Sequence, residues 1–130
     1  YVPFLPHILD LTYVQNTGAA FSLFSEHTWL LTLVSLVMSV LLLAALVRGF
    51  FRHPFGRISL ALLLAGAVGN LIDRAFQGYV VDMFHVLFME FAVFNVADIC
   101  VVVGGIAAAV YYVWGYERLE KGLHPQERRP

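Results

Sequence analysis

The stretch WLLTLVSLVMSVLLLAALV, residues 29–47, runs 19 residues without a charge. At about 1.5 Å per residue it just spans a hydrocarbon core roughly 30 Å thick. Two more apolar stretches follow it, at 58–72 and at 96–116, the second interrupted only by Asp98 before its last polar turn. A buried core helix is the alternative for the shorter one. Three such segments in 130 residues leave too little polar chain to cover them, so all three are predicted to cross a membrane.

Composition points the same way. The chain is 60% hydrophobic and 13% charged, where a soluble domain carries about 25% charged residues. The net charge of −1 implies no nucleic-acid partner. The single cysteine, Cys100, excludes an intrachain disulfide, and its apolar neighbours make it a buried, inert thiol.

The cations set the expected orientation. Arg48, Arg52 and Arg57 lie between the first two spans, and Arg118, Lys121, Arg128 and Arg129 follow the third. Only Arg74 falls on the other side, so seven of eight cations share one face, which is assigned to the cytoplasm. Residues 1–28 and the segment 73–95 are then outside, and 117–130 form a cytoplasmic tail. A chain that starts outside with Tyr1 suggests a preceding helix that carried it across. The expected architecture is a single all-α membrane domain, a transmembrane helix bundle with a fourth, N-terminal helix missing. A small extracytoplasmic β-cradle accompanies it.

That cradle is read from residues 8–15, where Leu9, Leu11 and Tyr13 alternate with Asp10, Thr12 and Gln15. Asn16-Thr17-Gly18 follows as a turn. Residues 19–24 lead into the first span, with Ser25 or Thr28 as its N-cap. Residues 78–94, rich in Val, Phe and Met, suit a strand, a short interfacial helix or both. Small residues recur at helical spacing: Thr32, Ser35 and Ser39 in the first span, Ala61, Ala65 and Gly69 in the second, Cys100, Gly104 and Ala108 in the third. They predict close helix packing, since apolar lipid-facing residues do not drive association by themselves.

In so apolar a chain the informative residues are polar ones at membrane depth. Asn70, Asp73, Arg74, Asp82, Asn95 and Asp98 fall at the outer ends of the second and third spans or between them, and Asn16 reaches the same level. Each has an ordinary structural role open to it: Asn95 as an N-cap, Asp98 as a first-turn acid beside the helix dipole, Asp82 as a loop acid. Together they suggest more. Asp82 lies among Val80, Val81, Met83 and Phe84, and Asp98 among Ala97, Ile99 and Cys100. Two acids in apolar settings, returned to one membrane face, make a candidate dyad. Two close carboxylates share one proton, so that one can activate water while the other polarises a carbonyl. Asp82, in the more apolar segment, is expected to be the protonated member, and Asp98, at a helix start, the ionised one. Other chemistries fit less well. His7, His27, His53, His85 and His124 lack metal-ligand spacing. His85 and Glu90 form the one near pair and suit a solvated interface. Ser22 and Ser25 have no triad motif around them, and no glycine-rich phosphate loop is present.

Four segments then carry a resemblance, in order along the chain: Asn16-Thr17-Gly18-Ala19-Ala20-Phe21-Ser22, Gly69-Asn70-Leu71-Ile72-Asp73-Arg74, Val80-Val81-Asp82-Met83 and Phe94-Asn95-Val96-Ala97-Asp98. They resemble the sequence boxes of bacterial lipoprotein signal peptidases (signal peptidase II). The resemblance implies a multi-pass inner-membrane aspartyl endopeptidase with its active site near the outer face. It would cleave prolipoprotein signal peptides before a diacylglyceryl-modified cysteine. Asp82 and Asp98 would be catalytic. Asn16, Gly18, Asn70, Arg74 and Asn95 would bind substrate or support the dyad, and Asp73 would pair structurally with Arg74. No cofactor or metal is implied. The implied partners are lipid-modified prolipoproteins, membrane lipids and globomycin-type inhibitors. The family's first helix is absent, and Met83 stands where many relatives have Phe. The competing readings are a small channel or transporter using Asp82 and Asp98 as ion or proton sites, and a purely structural membrane subunit. The location of both acids away from the membrane midplane argues against the former.

Overall fold

The computed structural model describes residues 1–19 and 25–125. Residues of the first box from Ala20 to Ser22, and Arg128 and Arg129, lie outside the described residues. Three helices dominate: α1, Thr28–Val47; α2, Pro54–Gln77; and α3, Val96–Val110. A π-helical segment, Tyr111–Glu120, and a 3-10 turn, Lys121–Leu123, continue α3. All three helices are long and apolar enough to cross a membrane, the third running Val96–Leu123. Most of their apolar side chains face outward, Leu41 being 58% exposed and Ile106 61%. That is how a lipid-bathed bundle looks when seen without its solvent.

The helix boundaries follow local chemistry. A 3-10 turn, Ser25–His27, leads into α1, whose cap position is His27 without a side-chain cap bond. Thr28 is therefore the first helical residue rather than the cap, and its hydroxyl donates to the Thr17 carbonyl at 2.7 Å. Pro54 opens α2, where a missing N–H does no harm, and His53 Nδ1 accepts from Phe55 N–H at 3.2 Å. The helix runs past Asp73 and Arg74 to Gln77 and stops at Gly78, whose φ of 82° only glycine adopts readily. Asn95 caps α3 with a reciprocal pair: its side chain accepts from Asp98 N–H at 2.9 Å, and Asp98 Oδ2 accepts from Asn95 N–H at 3.1 Å.

The closest packing is between α2 and α3. A Cβ on Gly66 would lie 2.5 Å from the Ala97 carbonyl oxygen, and one on Gly104 would lie 2.8 Å from the Ser59 carbonyl oxygen. The stripe on α2 that meets α3 thus passes through Ser59 and Gly66. Ala61 and Ala65, expected from their spacing, face outward. At the end away from α3's start, Phe51, Leu60 and Tyr111 form a buried apolar cluster.

A three-stranded antiparallel sheet covers the other end: β1, Val2–Leu5; β2, Leu9–Asn16; and β3, Val80–Val86, in the order β1-β2-β3. Pro3 sits in the edge strand, where a sheet tolerates proline. Between β2 and β3 the register changes from Leu11 opposite Phe84 to Val14 opposite Asp82. One extra residue on β2 has been absorbed as a bulge.

Candidate active site

The bulge decides which way Asn16 points. Side chains alternate along a strand, so a one-residue shift moves a side chain to the other face. With the register of Leu11 and Phe84 continued, Asn16 would share a face with Tyr79 and Val81. The bulge puts Asn16 opposite Val80 instead, diagonal to Asp82 on the same face. The contact follows: Asn16 Nδ2 donates to Asp82 Oδ2 at 2.9 Å. The Asn16 amide is oriented from behind, because its Oδ1 accepts from Gly18 N–H at 2.9 Å. Gly18 acts through this turn, and its carbonyl accepts from Arg74 Nη2 at 3.2 Å.

Asn95 joins the two acids. Its Nδ2 donates to Asp82 Oδ1 at 3.0 Å and to Asn70 Oδ1 at 3.2 Å. Asn70 Nδ2 in turn donates to Asp98 Oδ1 at 3.2 Å. The cap bond from Asp98 N–H fixes the Asn95 amide, just as Gly18 fixes Asn16. Both oxygens of Asp82 and both of Asp98 therefore accept hydrogen bonds from donors that are themselves held in place. Asp82 and Asn95 are buried, at 3% and 5% exposure. Burial pushes the Asp82 carboxyl above the usual carboxylate range, and the neighbouring charge of Asp98 adds to this. The amides of Asn16 and Asn95 and the Arg74 cation pull the other way without reversing it.

Asn16, Asn70, Arg74, Asp82, Asn95 and Asp98 line one cavity of about 540 Å³. Its remaining walls are mostly apolar and come from residues 91–94 and from the flank of α3 at Ile99, Val101, Val102 and Val103. Asp73 does not line it. Nor do Asp73 and Arg74 form the expected ion pair among the described residues: Asp73 acts on Arg74 only at longer range. The guanidinium reaches instead across the bundle to Gly18 and to Ser35 Oγ, 3.4 Å away, and its buried Nε has no hydrogen-bond partner. Ser35 is the site-forming residue that sequence reading assigned only to packing. Its signal was a hydroxyl at mid-depth on an uncharged helix. Among the described residues no cluster of three or more His, Cys, Asp or Glu could hold a metal ion.

Three membrane spans topped by an acid-bearing cavity define a multi-pass membrane protein with a buried polar site at one end of its bundle. Residues 1–114 match the family described as Signal peptidase (SPase) II. The lipoprotein signal peptidase of Clostridium acetobutylicum is 43% identical over 115 residues, covering 86% of this chain and 75% of that protein. The lipoprotein signal peptidase of Enterococcus faecalis is 38% identical, covering 92% and 74%. Among solved structures, a bacterial membrane enzyme determined by the in meso method at 2.3 Å superposes with a TM-score of 0.75 at 28% identity, covering 90% of this chain and 72% of that one. The chain belongs to the signal peptidase II family, and it is a membrane peptidase.

Proposed function

We propose that this peptidase is an aspartyl endopeptidase that removes signal peptides from prolipoproteins, cutting before the diacylglyceryl-modified cysteine, with Asp82 and Asp98 as its catalytic pair. The observation that carries the reading is the double role of Asn95. It caps the helix bearing Asp98 and hydrogen-bonds Asp82, so one side chain fixes two acids from different elements in one cavity. Burial favours the neutral form of Asp82, which makes it the member that holds the shared proton. Asp98 then takes a proton from water, and that water attacks the scissile carbonyl, which Asp82 polarises. The proton gained by Asp98 passes to the leaving nitrogen.

The cavity suits a lipid-modified chain. Val101, Val102 and Val103 are exposed on the lipid-facing flank of α3 and also line the cavity, so a substrate held in the bilayer enters sideways. Arg74 and Asn70 line the cavity and are placed to engage a peptide backbone or a globomycin-type inhibitor, with Asn16 and Gly18 holding the groups behind them. Membrane lipids surround the bundle. The cation asymmetry supports placing the sheet and the acids at the outer face of the bacterial inner membrane, with residues 48–57 and 117–130 in the cytoplasm.

The test is cleavage of a lipid-modified prolipoprotein by the reconstituted full-length protein without added metal. Asp82→Asn and Asp98→Asn should each abolish it while the protein remains folded and inserted. Activity retained by either variant sinks the assignment.

A further inference from the structure

The end of the bundle away from the acids holds a second buried carboxylate, and beside it a groove. On an α-helix the steps from Tyr111 to Glu120 make about two and a half turns, which puts the two side chains on opposite faces. The wider π-helical ladder covers the same steps in about two turns, so both point inward. Glu120 is fully buried. It accepts from Tyr111 Oη at 2.6 Å, from His53 N–H at 2.9 Å and from Arg52 N–H, and it meets His124 Nε2 at 2.6 Å. Tyr111 is thereby fixed against the rings of Phe51 and Phe55, with centroids 4.9 and 5.6 Å away.

On the outer side of Tyr111 lies a groove of about 420 Å³. Tyr111 forms its floor, and Phe55, Val110, Trp114 and Leu119 form its apolar walls. Gly115 keeps the floor uncovered, since a Cβ there would lie 2.8 Å from the Tyr111 ring. Arg118 lines the same groove, is exposed, and makes no hydrogen bond or ion pair with a described residue. The other cation of this turn, Lys121, is already paired with Glu117 at 3.4 Å.

We propose that this groove is a binding site for an anionic phospholipid, one acyl chain lying over Tyr111 and the phosphate on the Arg118 guanidinium. The occupant follows from depth and charge. A slot on the lipid-facing flank of a membrane span fills with hydrocarbon. An uncommitted guanidinium where the apolar stretch ends selects a headgroup with net negative charge over a zwitterionic one. Arg48, Arg52 and Arg57 lie at the same end of the bundle and reinforce that field. The site rests on the three membrane spans and not on the catalytic reading, so the two fail separately.

Trp114 is the reporter. The sequence holds two tryptophans, Trp29 and Trp114, which start α1 and end the third span at opposite ends of the bundle. In the Trp29→Phe protein all tryptophan fluorescence therefore comes from the groove. The full chain is reconstituted in phosphatidylcholine vesicles containing a small fraction of brominated phosphatidylglycerol or brominated phosphatidylcholine. Quenching by the brominated phosphatidylglycerol should be half-complete at about a five-fold lower fraction, the discrimination one interfacial cation supplies. Unlabelled phosphatidylglycerol should relieve it. Arg118→Gln should equalise the two lipids, and Arg118→Lys should restore much of the preference. Equal quenching in the parent protein overturns the proposal, as does a preference that survives Arg118→Gln. Relief by soluble glycerophosphate alone also overturns it, because the acyl chain would then contribute nothing.

Discussion

Gly66→Ala is the substitution that most directly tests how the bundle holds the acids. The added Cβ would meet the Ala97 carbonyl oxygen and Val101 Cγ2 at 2.5 Å, whereas ordinary contact begins near 3.4 Å. Backbone oxygen cannot turn aside, so α2 and α3 must part by about 0.9 Å. Asn70 lies one turn beyond Gly66, and Asp98 directly follows Ala97. The same displacement lengthens the 3.2 Å bond from Asn70 Nδ2 to Asp98 Oδ1 to about 4 Å, past any hydrogen bond. Overpacking destabilises by about 1–3 kcal/mol, and the better helix propensity of alanine returns about 1 kcal/mol. The net loss of stability is therefore small. If Asp98 belongs to the proposed catalytic pair, the rate should fall much further, by about 100-fold, because a shift near 1 Å in a reacting group has that effect. Gly104→Ala is the control. Its Cβ would meet Leu63 N at 2.7 Å and the Ser59 carbonyl at 2.8 Å, a similar clash well below the acids. Both variants are purified, melted in the same detergent, and assayed on a lipid-modified prolipoprotein per folded molecule. Equal rates in the two variants at equal stability would show that the α2–α3 contact does not hold the acids in place.

Asn16→Ala removes the amide that donates to Asp82 Oδ2 and should lower turnover sharply; unchanged turnover in the folded protein would count against the orienting role of Asn16. Asp73→Asn should lower turnover per folded molecule far less than Asp82→Asn or Asp98→Asn, and an equally dead, folded Asp73→Asn would mean the pair has been drawn around the wrong acids. The raised pKa of Asp82 makes the native state bind its proton more tightly than the unfolded chain does. Its contribution to stability is thus fully present below the ordinary carboxyl range and is lost as pH rises through the folded-state value. Melting temperatures of the parent relative to Asp82→Asn should therefore fall from mildly acidic to neutral pH, and a flat difference would contradict the direction of the shift. Glu120→Gln replaces a four-partner acceptor with a group that has one acceptor oxygen, leaving buried donors unmatched, so it should destabilise by about 1–3 kcal/mol in thermal melts while an unchanged melt would refute the cluster's role. Arg52→Cys should resist an impermeant thiol reagent applied outside intact cells; labelling there would invert the orientation.

The spans were legible because an uncharged apolar run of membrane length is rarely tolerated in water. The polar residues at one depth were legible for the complementary reason, that each is unfavourable in hydrocarbon without partners. Pairing was harder. Asp73 and Arg74 are adjacent in sequence, but neighbours on a helix point in directions about 100° apart, and Arg74 turned to Gly18 and Ser35 instead. The choice among small residues on α2 held for Gly69, which meets Ala97 of α3, and missed at Ala61 and Ala65. Ala61, Ala65 and Gly69 keep perfect spacing, yet the closest approach uses Gly66, where even a methyl group does not fit. The β2 bulge shifts register by a residue and the π-helical segment by about half a turn, and no periodicity in the sequence announces such shifts. Glu120, read as part of a solvated tail, is buried because of that second shift.

The joint held by Asn95 also bears on how such a protein is made. Membrane helices insert one by one and dock afterwards. Until β3 settles against the start of α3, Asp82 and Asp98 stand on separate elements without Asn95 bonded to both. A newly inserted chain would therefore be harmless to the other proteins crowding the same translocation machinery. On the proposed mechanism, hydrolytic competence would arrive only with the last docking step, so that assembly itself would serve where other proteases need a removable pro-segment.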